Sequence, residues 1–171
     1  GVALAASKCG ISSLICLPDT APISKVEATK GYGAQVCLVP GVYDDAYNRA
    51  LELKEERGYT FVHPFDDEYV ISGQGTIGLE IMNEMSDVDA VIVPIGGGGL
   101  ISGVACAIKS ISPHVKVYGV QAAGAPSMFN AVNHGHMEAL EKVSTIADGI
   151  AVKKPGEITY EMVKNYVDDI A

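Results

Sequence analysis

The stretch Ala90-Val91-Ile92-Val93-Pro94-Ile95-Gly96-Gly97-Gly98-Gly99-Leu100-Ile101-Ser102-Gly103 constrains the fold more than any other part of the sequence. A short apolar run, suited to a buried strand, ends at four consecutive glycines, and a helical pattern begins at once. Strands apolar on both faces belong to parallel sheets covered by helices on each side. Lacking Cβ atoms, the glycines can turn their amides inward and let an anion approach the backbone closely. The helix that follows adds unsatisfied N–H groups and the positive end of its dipole. A turn kept only for tight strand–helix packing is the alternative, and a shorter glycine run would serve it. Four in succession cost more chain entropy than packing requires. Their place at the carboxyl end of a strand, where open α/β sheets bind ligands, favours an anion site.

The rest of the chain repeats the alternation. Further buried strands are expected at residues 13–17, 35–39, 60–63 and 115–120, and another begins in the last residues. Val2, Ala5, Ala6 and Cys9 follow helical spacing, with Gly10 placed as a left-handed cap. Ser24 and Glu27 form a capping-box pattern. A third helix runs from Asp44 or Asp45 to Gly58, and others span 73–85, 100–111 and 157–168, the last entered through Pro155-Gly156. Strands and helices in this order predict an α/β fold with right-handed crossovers. The segment His63-Pro64-Phe65-Asp66-Asp67 reads as a seam, giving one domain over 1–64 and another over 65–171.

Charge removes one class of partner. Twelve basic against 21 acidic residues leave a formal charge of −9, without the basic footprint that nucleic-acid binding requires. No apolar run approaches the roughly 20 residues of a membrane span, and no signal-peptide pattern opens the chain. Cys9, Cys16, Cys37 and Cys106 show no CxxC pairing and read as buried structural thiols in a reducing, cytoplasmic setting. The chain opens on Gly1 rather than methionine and stops where a strand starts, so an internal piece of a longer protein is expected.

The glycine loop fits neither nucleotide motif. For a dinucleotide fingerprint Gly96 and Gly98 need a glycine at Ile101, Gly97 and Gly99 need one at Ser102, and Gln121 stands where an acidic residue belongs. For a P-loop, Gly98 and Gly103 are correctly separated, but Val104 occupies the lysine position. A single phosphate on a small cofactor suits the loop better.

The same residues carry a family likeness. GGGGL after an apolar strand resembles the cofactor-phosphate loop of fold-type II pyridoxal-phosphate enzymes, whose architecture is three-layered with mainly parallel sheets like those of the tryptophan synthase β chain. GVALAASKCGI at 1–11, KVEATKGYGA at 25–34, HPFDDEYVISGQGTIGLEI at 63–81 and TIADGIAVKKPGEITYEMVKNYVDDI at 145–170 look like the threonine dehydratase branch, with serine dehydratases and serine racemase. The likeness runs essentially end to end.

The resemblance implies pyridoxal 5'-phosphate held through the amides of Gly96, Gly97, Gly98, Gly99 and Leu100, with Gly149 in the Ala147-Asp148-Gly149 turn against the cofactor ring or its substrate adduct. Gly73-Gln74-Gly75-Thr76 would begin a helix at the site floor, and Phe65 and Asp66 would lie at the hinge and substrate edge. The implied reaction converts L-threonine, or L-serine, to a 2-oxo acid and ammonia by β-elimination, in a homo-oligomer. No catalytic residue is expected in this chain. The Schiff-base lysine of the family belongs upstream of Gly1, and Lys25 and Lys30 sit on an amphipathic helix that would not activate a lysine. Gln121 and Ser127 stand where the racemase-like members carry acidic cation ligands, so no divalent-cation site is expected. His134 and His136 lack a third ligand and read as a solvated loop. Asp66-Asp67-Glu68 and Asp168-Asp169 read as solvated or helix-end charge. A racemase, another fold-type II enzyme, and a non-catalytic module binding a phosphorylated metabolite remain the competing readings.

Overall fold

Two parallel sheets, each flanked by its own helices, hold the strands. The computed structural model describes Gly1 to Ala171, and the chain divides into two compact units, Gly1–Val62 and His63–Ala171.

In the first unit, α1 (Val2–Lys8), β1 (Leu14–Pro18), α2 (Ile23–Gly31), β2 (Gln35–Val39) and α3 (Tyr43–Arg57) follow one another. β1 and β2 pair in parallel, with Cys16 opposite Cys37. α3 ends where expected, because Gly58 takes the left-handed conformation (φ +66°) that a Cβ would disfavour. The Ser24–Glu27 capping box does not form. Pro22 occupies the cap position and its carbonyl accepts the amides of Lys25 and Val26, so Ser24 already lies inside the helix, and Glu27 pairs with Lys30 instead.

No strand forms at residues 60–63. The His63 imidazole Nδ1 accepts the amides of Phe65 (3.2 Å) and Asp66 (2.8 Å), which curls the chain into a turn rather than a ladder. The thiols are also less buried than expected: Cys9 is exposed and the other three are half-buried, all free. Burial and the neighbouring Cys37 push the Cys16 thiol up to about 11.

The second unit contains α4 (Glu68–Glu84), β3 (Ala90–Pro94), α5 (Gly99–Ile111), β4 (Lys116–Val120), α6 (Ser127–His134), a 3-10 turn at Asp148–Ile150, α7 (Glu157–Tyr166) and β5 (Asp169–Ile170). β3, β4 and β5 lie side by side in that order, all parallel. Ile95, Ile101, Val104, Ile108, Val117, Met128 and Val163 build the core between sheet and helices. The strands are not buried on both faces: Val93 and Val117 are covered, whereas Ile92, Tyr118 and Val120 are exposed. No helix is long and apolar enough to cross a membrane.

α4 begins five residues earlier than the sequence pattern suggests. The Asp67 carboxylate accepts the amides of Tyr69 (2.9 Å) and Val70 (3.0 Å), satisfying two donors of the first turn. Gly73 to Thr76 therefore sit inside the helix, not at its start. Gly75 and Gly78 face α5: a Cβ on Gly78 would stand 2.9 Å from the Val104 carbonyl oxygen, and one on Gly103 would overlap that of Ile71. The glycines let two helix backbones touch.

Asp168 is not solvated. Lys109 reaches it at 2.6 Å, Lys116 at 2.8 Å, and the Val117 amide donates to it at 2.8 Å. Burial alone would raise this carboxyl, but the two ammonium groups and the amide outweigh it and hold the group well below the usual carboxylate range. The cluster ties the end of α5, the start of β4 and the entry to β5 together.

Candidate active site: the glycine loop and its supports

Ile95, completely buried, donates its amide to the Val120 carbonyl at 2.8 Å, the last sheet bond before the chain turns. Gly96, Gly97 and Gly98 form the turn, and Gly99 and Leu100 open α5. Gly98 holds φ +100°, a conformation side chains rarely adopt.

The loop is closely walled. A Cβ on Gly97 would run into the Phe65 ring, and one on Gly99 would lie 2.8 Å from the Phe65 Cβ. On Gly98 it would meet Met128 Cε at 2.7 Å and Thr159 Cβ at 2.8 Å, and on Gly96 it would press on Ile150 Cα at 3.2 Å. The segment before α4, α6, the 3-10 turn and α7 thus all converge on these four residues.

The loop carbonyls are taken up by protein. Gly97 O accepts the Thr159 hydroxyl at 2.6 Å and the Gly156 amide at 3.3 Å, and Gly98 O accepts the Ser102 amide at 3.0 Å. The Gln121 carboxamide Nε2 lies 3.5 Å from Gly96 O, while its Oε1 accepts the Phe129 amide at 2.9 Å in the first turn of α6. The amides behave oppositely: none from Gly96 to Ile101 donates to a protein acceptor, although Gly97, Gly98 and Gly99 are buried. Buried backbone donors in native proteins almost always have partners. A row of them at a helix N-terminus fits an anion supplied from outside the chain, and a phosphate monoester matches that donor set in charge and in acceptor number.

Other site residues take different places. Asp66, expected at the substrate edge, turns toward α7: its carboxylate accepts the amides of Glu157 (2.9 Å) and Thr159 (3.1 Å), and Gly156 leaves the space for it. It is a helix cap supplied from 91 residues away in sequence, not solvated charge. Phe65 packs on Gly97 and stacks edge-on with His63 at 4.8 Å. Burial pushes the His63 imidazole below its ordinary value, against the opposing pull of Asp66 and Asp67.

Gly149 lies in the 3-10 turn, and a Cβ there would meet nothing within 4 Å, so that position opens on free space next to Ile150. Within the Gly73–Thr76 segment, Gly75 packs against α5, where a Cβ would stand 3.3 Å from the Gly103 carbonyl oxygen, and a Cβ on Gly73 would meet nothing within 4 Å. Lys30 is an exposed partner of Glu27 in the first unit. His136 is exposed and bound to Glu138 at 2.9 Å, which raises its pKa, and no three His, Cys, Asp or Glu side chains gather to hold a metal ion.

Comparisons with known proteins agree on the family. The model of the family described as "Pyridoxal-phosphate dependent enzyme" matches residues 1–171. An L-threonine ammonia-lyase of Thermotoga maritima is 55% identical over 170 residues, covering 99% of this chain and 42% of the relative. A Staphylococcus aureus protein named L-threonine dehydratase catabolic TdcB is 49% identical, with 99% and 49% covered. Among solved structures, threonine deaminase isoform 2 from Solanum lycopersicum superposes with TM-score 0.93 at 42% identity, covering 99% of this chain and 50% of that one. Maize serine racemase gives 0.92 at 38%, covering 99% and 51%. The chain spans about half the length of these relatives. It belongs to the pyridoxal-phosphate dependent enzyme family and has the fold-type II architecture of threonine deaminase and serine racemase.

Proposed function

We propose that this chain is the cofactor-anchoring part of a threonine ammonia-lyase, which converts L-threonine to 2-oxobutanoate and ammonia and accepts L-serine as the smaller analogue. The observation that carries the reading is the row of unpartnered amides from Gly96 to Ile101, joined to 55% identity with a protein named for that reaction. The bound cofactor supplies the electron sink for loss of the α-proton and the β-hydroxyl. The residues of this chain bind and orient. Amides of Gly96, Gly97, Gly98, Gly99 and Leu100 hold the phosphate, the α5 dipole adds to their field, and Phe65 and Ile150 keep water from the buried side of the loop. Gly149, with open space where a side chain would stand, leaves room for the cofactor ring or the substrate. The residues on either side of the His63 turn are the corresponding parts of a small domain and a large, cofactor-binding domain.

The proton-abstracting lysine is assigned to the part of the protein before Gly1. The test uses the full-length protein with pyridoxal phosphate and L-threonine, following 2-oxobutanoate and ammonia. Both should form, and both should be lost when that lysine is replaced by alanine. Conversion of L-serine to D-serine without 2-oxo acid would overturn the assignment in favour of a racemase. Tight binding of the cofactor without turnover of either amino acid would favour a non-catalytic module.

A further inference from the structure

The glycine loop presents its amides outward because something holds its carbonyls back, and the strongest of those holds is Thr159. In a trans peptide the C=O and the following N–H point in opposite directions across the bond, and no peptide of this chain is cis. Whatever anchors the Gly97 oxygen therefore aims the Gly98 amide. That oxygen takes the Thr159 hydroxyl at 2.6 Å, and Thr159 has no exposed surface. The same hydroxyl lies 3.2 Å from the Gly156 carbonyl, so its single proton is committed to the shorter contact at Gly97. Asp66 stands behind this contact, since its carboxylate receives the Glu157 and Thr159 amides and so places the first turn of α7 against the loop. A Cβ on Gly98 would collide with Thr159, so the two residues also fit by shape.

We propose that Thr159, seated by the Asp66 cap, is a positioning residue for phosphate binding. It fixes the Gly97–Gly98 peptide so that the Gly98 amide faces the anion, without touching the anion itself. The inference rests on the phosphate-loop reading of Gly96–Leu100. It gives the hydroxyl of Thr159, rather than its volume, the decisive part.

The experiment compares Thr159→Val, Thr159→Ser and Asp66→Asn in the full-length protein. Cofactor affinity is measured by titrating the cofactor-free protein with pyridoxal phosphate and following visible absorbance, and the phosphate is followed by its 31P chemical shift. The thermal midpoint of the cofactor-free form is recorded for each variant. Thr159→Val should weaken cofactor binding about tenfold, the equivalent of one hydrogen bond of roughly 1.4 kcal/mol, and shift the 31P signal. Thr159→Ser, which keeps the hydroxyl, should remain within about twofold of the parent, and Asp66→Asn should fall between them. If valine proves too destabilising to isolate, the proposal stands or falls on Asp66→Asn, which must then weaken binding while Ser does not. Unchanged affinity and 31P shift in Thr159→Val, whatever its midpoint, would overturn the proposal, as would a serine variant as weak as the valine one. Loss of affinity in Gly98→Ala together with parental affinity in Thr159→Val would leave the phosphate loop intact and remove only the brace. Parental affinity in Gly98→Ala, with the thermal midpoint of its cofactor-free form also parental, would remove the loop reading itself.

Discussion

Gly98→Ala is the most informative single change, because the site leaves no neutral outcome for it. Two costs meet at this position. The backbone sits at φ +100°, where an L side chain costs about 1–2 kcal/mol. The new methyl would lie 2.7 Å from Met128 Cε and 2.8 Å from Thr159 Cβ. The methionine end can swing away, but Thr159 cannot move without breaking its 2.6 Å bond to Gly97 O, so overpacking adds about 1–3 kcal/mol. If the loop keeps its shape, the folded state loses the sum, about 2–5 kcal/mol, visible as a lower urea midpoint with an unchanged slope. If the loop relaxes instead, the amides leave their aim. Each charge-assisted hydrogen bond lost costs about 1.5–3 kcal/mol, or roughly 10–150-fold in cofactor affinity. Urea unfolding of the cofactor-free full-length protein and cofactor titration by absorbance separate the two responses. Gly149→Ala is the control, since its methyl meets nothing within 4 Å and should leave the unfolding midpoint unchanged. A Gly98→Ala protein with both parental stability and parental affinity would refute the account of the loop.

Other consequences follow from the same unit. Gly103→Ala places a methyl on the Ile71 carbonyl oxygen and 2.6 Å from the Gly75 amide, backbone that cannot step aside, so it should cost more than about 2 kcal/mol despite the roughly 1 kcal/mol gain in helix propensity; urea unfolding would read it. Asp168→Asn strips Lys109, whose side chain is only 16% exposed, of its charge partner, and should cost about 2–3 kcal/mol at pH 7. Because the native Asp168 carboxyl lies below its unfolded value, its contribution is complete above about pH 4 and fades as acid rises below that, so the parent should lose more stability than the Asn variant between pH 5 and pH 3. Asp67→Ala removes the cap of α4 and should lower stability by about 1 kcal/mol in thermal unfolding, while cofactor affinity stays within twofold.

Much of this architecture is legible locally, and the exceptions share a cause. β3, the glycine run and α5 are written in consecutive residues, so the anion-facing side of the loop can be read directly. The wall behind it cannot. Thr159 lies 62 residues beyond Gly97 and carries no motif of its own, and Asp66 meets Thr159 across 93 residues. The run Asp66-Asp67-Glu68 looks like solvated charge because nothing beside it needs neutralising. In the fold, Asp67 caps the helix it precedes and Asp66 caps one far downstream. A cap four residues before an apolar run has a local signature, whereas a cap delivered by a turn has none. At residues 60–63, where a strand is expected and none forms, the chain leads into a turn that the His63 imidazole closes by accepting the amides of Phe65 and Asp66.

The exposed apolar residues of the second sheet need a different explanation. Ile92, Tyr118 and Val120 are 69%, 38% and 44% exposed, on strands whose alternate residues Val93 and Val117 are buried by helices of the same unit. A half-covered sheet in water normally alternates apolar with polar side chains, whereas apolar residues on both faces mark a strand buried on both. The composition of β3 is thus that of a two-sided strand, and the relatives are about twice as long as this chain. That face also constrains the site. β3 delivers Ile95 to the loop through a 2.8 Å bond to Val120, one of the exposed residues, so whatever lies over Val120 in a longer protein also bears on the strand end from which the glycines turn. Charge placed there, as in Ile92→Lys, should leave Thr159 and its bond to Gly97 untouched. It should cost stability in a protein where the face is covered by apolar residues and little where the face meets water. Urea unfolding of that variant in the full-length protein and in the 171-residue chain would therefore report coverage directly, and equal losses in both would contradict a second layer.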